Sequence, residues 1–143
     1  MSPIGAAEAF EGAPLLAERV GEDGDADAIV ARARAVLAQM SDAERVAVLN
    51  AHPRIGATAG LSARSAAEQR AGETVDPATL QALGRLNDEY ERRFGFRCVI
   101  FVHGRSRADL VPVIEARLRN PRDAELATGL EEYLAIARDR MAR

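Results

Sequence analysis

The sequence predicts an all-α fold: a single compact domain (residues 1–143) of about six to seven helices, with one short buried extended segment at about 97–103. Three observations carry this. Apolar residues recur at helical spacing, as in Ile29, Val30, Ala33, Val36, Leu37 and Met40. Aromatics are only 4% of the chain while Ala and Leu dominate its apolar set, which favours helices over a sandwich or barrel. At 143 residues and 48% hydrophobic, there is material for one core.

In chain order, residues 6–20 read as a first short helix, closed by the acidic turn "GEDGD" at 21–25. A helix follows from Asp25 to Met40. Ser41-Asp-Ala-Glu44 is a capping-box signature that opens another, with Val46, Val48 and Leu49, ending near Asn50. Asp76-Pro77 pairs an N-cap acceptor with proline at the first helical position. Leu80, Leu83, Leu86 and Tyr90 stripe that helix, and Gly95 suits its stop. Ser106-Arg-Ala-Asp109 is a further cap, leading into Leu110, Val113, Ile114 and Leu118, with a bend expected at Pro112. "NPRD" at 120–123 is a turn, and a last helix runs from about Asp123 to near the end.

"FRCVIFVHG", 96–104, breaks this pattern, being β-branched, apolar and bounded by glycines. Nothing else in the chain reads as a strand to pair with it. Its backbone N–H and C=O groups must therefore find side chains, water, a second subunit or a bound polar ligand.

The totals narrow the function. A net charge of −3 with no basic tail or stripe argues against nucleic acid as the main partner. No apolar run approaches a membrane span. The start "MSPIGAAEAF" lacks a signal peptide's basic and apolar regions, and "RDRMAR" is no sorting signal, so a cytoplasmic setting is the simplest expectation. One cysteine, Cys98, excludes an internal disulfide and any multi-cysteine metal site, and its apolar surroundings suit a small core residue.

His52 and His103 are the histidines. His52, stiffened by Pro53, falls just past a helix end at the lip of a loop. It is either a residue meeting the helix dipole or a proton donor and acceptor near neutrality. Ser65-Ala-Ala-Glu68-Gln69 is either a capping box or a set of polar groups facing a ligand from a helix N-terminus. His103 reads as an exposed loop residue, and no H-x-x-x-H or H-x-E spacing supports a metal site. The arginines at 92, 93, 138 and 140 read by default as solvated.

Together, "AHPRIG", "LSARSAAEQRAG" and "LNDEYERRFGFRCVIFVHGRSR" resemble, in order and spacing, the 2-oxo-4-hydroxy-4-carboxy-5-ureidoimidazoline (OHCU) decarboxylases of urate catabolism. Leu15 or Leu16 stands where that family often has tryptophan, and Cys98 where an aromatic is frequent. The resemblance implies an all-α carboxy-lyase that needs no cofactor or metal and forms (S)-allantoin from OHCU. It places the catalytic histidine on His52, with Glu68 orienting it or sharing its proton. Pro53, Ser65 and Gln69 would contact the substrate, as would the extended segment Cys98, Val99, Ile100, Phe101 and Val102 through its main chain. Arg140 would meet the substrate's negative charge. A homodimer is compatible with the resemblance. With it in view, the functional readings of His52 and of Ser65–Gln69 prevail over the structural ones. The rival is a non-enzymatic helical module that binds a ligand or partner along exposed apolar stripes.

Overall fold

In a computed structural model, residues 4–10, 12–55 and 76–142 are described. Among them run seven helices: α1 (Ala6–Ala9), α2 (Pro14–Val20), α3 (Ala26–Gln39), α4 (Asp42–Asn50), α5 (Pro77–Phe94), α6 (Arg107–Arg117) and α7 (Arg122–Ala142). No strand occurs among the described residues, and no helix there is long and apolar enough to cross a membrane.

The helix starts follow local chemistry. Ser41 and Ser106 each head a reciprocal capping box with Glu44 and Asp109. Asp25 accepts from Ala28 N and Asp76 from Thr79 N, so both starts are capped by side-chain oxygens. Gly95, at φ 82°, closes α5 in the left-handed conformation that glycine adopts most cheaply. Pro112 lies on the exposed side of α6, and the helix continues through it.

The single helix expected over 6–20 is two helices. Gly12 sits at φ 79° and Ala13 precedes Pro14, which disfavours helical geometry at 13, so the chain breaks there and restarts at Pro14. The Glu22 carboxylate accepts from Ala6 N (3.0 Å) and Ala7 N (2.9 Å), capping α1 from beyond α2.

The long C-terminal helix α7 packs against α1, α3 and α4, while α2 lies on α1 and α3. Helices α5 and α6 pack on each other, and the segment 97–102, which has no regular secondary structure, joins them. That segment is buried at Cys98, Val99, Ile100 and Val102, as its composition requires. Phe94, Phe96 and Tyr90 cluster beside it, with Tyr90–Phe94 ring centroids 4.6 Å apart. Arg122 then ties the start of α7 to the end of α5, donating to Phe94 O at 3.0 Å.

Candidate active site around His52

Helix α4 ends at Asn50, and the His-Pro-Arg-Ile corner that follows is held by tertiary bonds. Asn50 Oδ1 accepts from Arg97 N at 2.9 Å, and the Arg97 guanidinium donates to His52 O at 2.9 Å. Asn87 Nδ2 donates to Ile55 O at 2.8 Å from the buried side of α5. Arg54 reaches Glu91 (2.8 Å) and Asp88 (2.6 Å) on the same helix. Proline restricts the residue before it, and these bonds tie the corner at Asn50, His52 and Ile55.

His52 falls just past the end of α4, as the sequence suggested, and is buried there at 5% exposure. Helix α7 crosses behind the corner and covers it. The ring lies edge-on to Tyr133 at 6.4 Å, and Tyr133 stacks on Phe10 at 6.1 Å. His52 Nδ1 is 3.2 Å from Pro53 O. A carbonyl only accepts, so this contact is a hydrogen bond when Nδ1 carries the proton, which puts the neutral ring's lone pair on Nε2.

Arg140 is 3% exposed, correcting its solvated default, and donates to Ala9 O at 3.2 Å. It lies seven residues after Tyr133, two turns along the same face of α7. Arg138 keeps the exposed position expected of it and pairs with Asp27 at 2.6 Å. Arg92 and Arg93 are exposed as well.

The segment 97–102 begins at Arg97, whose guanidinium holds His52 O. Several of its main-chain groups, expected to meet substrate, are already used by the protein. Val99 O accepts from Arg117 Nη1 (2.6 Å), and Phe101 O from Arg105 Nη2 (2.7 Å). Val102 O accepts from Arg105 Nε (3.0 Å), and Phe101 N donates to Glu132 Oε1 (3.3 Å). The N–H and C=O of Cys98 and Ile100 meet no hydrogen-bond partner among the described residues, although both residues are 1% exposed. Burial of the Cys98 side chain pushes its thiol up to about 12, so it is a neutral core group and no nucleophile.

The structure thus ties His52 to the start of the 97–102 segment through Arg97 and to α7 through Tyr133, while Arg140, farther along α7, holds Ala9 O. Ser65, Glu68 and Gln69 lie outside the described residues. His103 is exposed, at φ 49°, with its ring 4.9 Å from that of Phe101. Among the described residues no three His, Cys, Asp or Glu side chains stand together as a metal site requires.

Sequence reasoning missed a buried ionic cluster behind the segment. Glu125 is fully buried; its Oε1 accepts from Arg117 Nε (2.8 Å) and Tyr90 Oη (2.5 Å), and its Oε2 from Asn120 Nδ2 (2.8 Å). Burial, foremost, drives the Tyr90 phenol far above its usual range, so it remains a donor. Arg117 in the last turn of α6 and Glu125 in the first turn of α7 look in sequence like ordinary charges set against helix dipoles. Asn87 did leave a signal: it is a polar residue four positions after Leu83, on the apolar stripe of α5.

A sequence model of the OHCU decarboxylase family matches residues 6–142. The chain belongs to the OHCU decarboxylase family. Among its relatives is the 2-oxo-4-hydroxy-4-carboxy-5-ureidoimidazoline decarboxylase of Haloferax volcanii, 29% identical over 140 residues, covering 94% of this chain and 83% of that protein. The uric acid degradation bifunctional protein of Arabidopsis thaliana is 30% identical over 112 residues, covering 73% of this chain and 35% of that one. An OHCU decarboxylase crystallised in the presence of (S)-allantoin shares the fold at a TM-score of 0.77 and 23% identity, over 95% of this chain and 94% of that one. Family membership accounts for the all-α architecture.

Proposed function

We propose that the chain decarboxylates OHCU to (S)-allantoin, with His52 as its acid/base. The observation that carries the reading is the family match over residues 6–142, in a chain whose His52 imidazole is buried with Nδ1 3.2 Å from Pro53 O. In OHCU the carboxylate sits on a carbon that also bears a hydroxyl, next to a ring C=N. As the C–COO⁻ bond breaks, its electron pair forms a C=C bond and the imine pair moves onto the ring nitrogen, which takes a proton. The resulting enol gives up its hydroxyl proton and is protonated on the neighbouring carbon that bears the ureido group, leaving a ring amide carbonyl and one new stereocentre. The substrate therefore supplies its own electron sink, and the protein's work is orientation and proton transfer.

In this reading His52 Nε2 handles the hydroxyl proton and Glu68 orients the imidazole or shares its proton. Ser65, Gln69, Pro53 and the 98–102 main chain hold the ring and ureido arm. Arg140 contributes a permanent positive charge toward the carboxylate. The rival binding module predicted exposed apolar stripes; among the described residues Leu15 is the exposed large apolar side chain.

The test follows allantoin formation by circular dichroism, with OHCU generated in situ from urate, for the unaltered chain and for His52→Ala. One enantiomer should form faster than background with the unaltered chain, and the variant should lose about 10²–10⁴-fold in rate while staying folded. Racemic background rates with both proteins would sink the reading.

A further inference from the structure

The Ile100 peptide groups carry more than an open hydrogen-bonding edge. Across a trans peptide the C=O and the N–H that follows it point in opposite directions. On one side of the 98–102 segment the protein has placed charged side chains. Arg117 donates to Val99 O at 2.6 Å, Glu132 accepts from Phe101 N at 3.3 Å, and Arg105 donates to Phe101 O at 2.7 Å. On the other side the N–H and C=O of Ile100 meet no partner among the described residues.

The two sides communicate through the amides. The described peptide bonds are all trans, so Val99 C=O and Ile100 N–H are opposite ends of one planar unit, as are Ile100 C=O and Phe101 N–H. A guanidinium on Val99 O withdraws density and makes Ile100 N–H a stronger donor. A carboxylate accepting from Phe101 N–H makes Ile100 C=O a stronger acceptor. Ile100 thus offers a donor and an acceptor side by side, each reinforced by a formal charge of the appropriate sign.

We propose that Arg117 and Glu132 are positioning residues that act through these two peptide units, tuning the Ile100 edge to bind a carbonyl with an adjacent N–H. That is the edge a ureido group or cyclic amide presents. The inference rests on the proposed OHCU reaction and adds the residues that set affinity for the substrate's amide-like edge. Such an edge is the same before and after carbon dioxide leaves, so its loss weakens ground state and transition state alike.

Glu132 is half-buried and Glu132→Gln nearly preserves shape, so this is the primary test. Relative to the unaltered chain it should raise KM, and the Kd for (S)-allantoin by calorimetry, about fivefold, with kcat within about twofold, the scale of one charge-assisted hydrogen bond weakened. The Ile100 carbonyl ¹³C signal should shift, and the melting temperature should not. Arg117→Lys should shift the Ile100 amide proton; if that variant does not fold, Glu132→Gln alone decides. An unchanged KM and Kd in Glu132→Gln, or a loss confined to kcat, overturns the inference while the decarboxylase reading stands. An unaltered chain that neither turns over OHCU nor binds allantoin overturns both.

Discussion

Replacing Glu125 by Gln should destabilise this protein more than almost any other isosteric change. The carboxylate is fully buried, and the Arg117 side chain is 9% exposed, so solvent screens neither charge. The variant leaves the Arg117 guanidinium in the interior without its counter-charge. It also turns one carboxylate oxygen into an NH₂, so a donor now crowds either Asn120 Nδ2 or the pair formed by Arg117 Nε and Tyr90 Oη. Breaking a buried pair from one side costs about 3–5 kcal/mol. For a domain of this size each kcal/mol moves Tm by about 3 °C, so a fall of roughly 10 °C or more is expected in a thermal melt followed by far-UV circular dichroism. In urea the midpoint should drop by about 1.5–2.5 M at an m-value near 2 kcal/mol/M. A double variant, Arg117→Met with Glu125→Gln, should lose less than the sum of the two single losses, because the uncompensated charge is then gone. A Tm for Glu125→Gln within about 3 °C of the unaltered protein would refute the argument that this cluster is a desolvated ion pair.

Other consequences follow from burial and backbone geometry. The Cys98 thiol, held up to about 12 from an ordinary 9.0, should resist a thiol reagent at pH 8 in the folded protein and react once urea unfolds it. Because the folded state keeps the proton longer, the stability this group contributes is complete below pH 9 and is lost as pH rises toward 12, read as a falling urea midpoint. Gly95→Ala meets no atom within 4 Å but forces a β-carbon onto φ 82°, costing about 1 kcal/mol, or about 3 °C in Tm. Ser106→Ala removes half of a reciprocal capping box and should cost about 1 kcal/mol in a denaturant titration.

Helix starts were readable because they are local: Ser41 with Glu44, Ser106 with Asp109, and Asp76 with Pro77 each complete a cap within one turn. The break at 12–14 was equally local, in Gly12 and Pro14, but a helical run of apolar residues on both sides masked it. The 97–102 segment announced itself by composition, yet its surroundings did not. Arg117 reaches Val99 from 18 residues away, Glu132 reaches Phe101 from 31, and Arg97 reaches His52 from 45. No spacing rule connects residues so far apart.

The all-helical class, the capped starts, the buried non-helical segment and, through ordered motifs, membership in the OHCU decarboxylase family were all legible in the residues alone. Packing added that His52 lies edge-on to Tyr133, that Arg140 is buried while Arg138 is not, and that among the described residues the Ile100 peptide groups have no partner while Val99 O and Phe101 N do. The physical reason is range. Helix capping and periodicity act within one or two turns, whereas burial and charge pairing depend on which helix crosses behind a residue once the chain has packed.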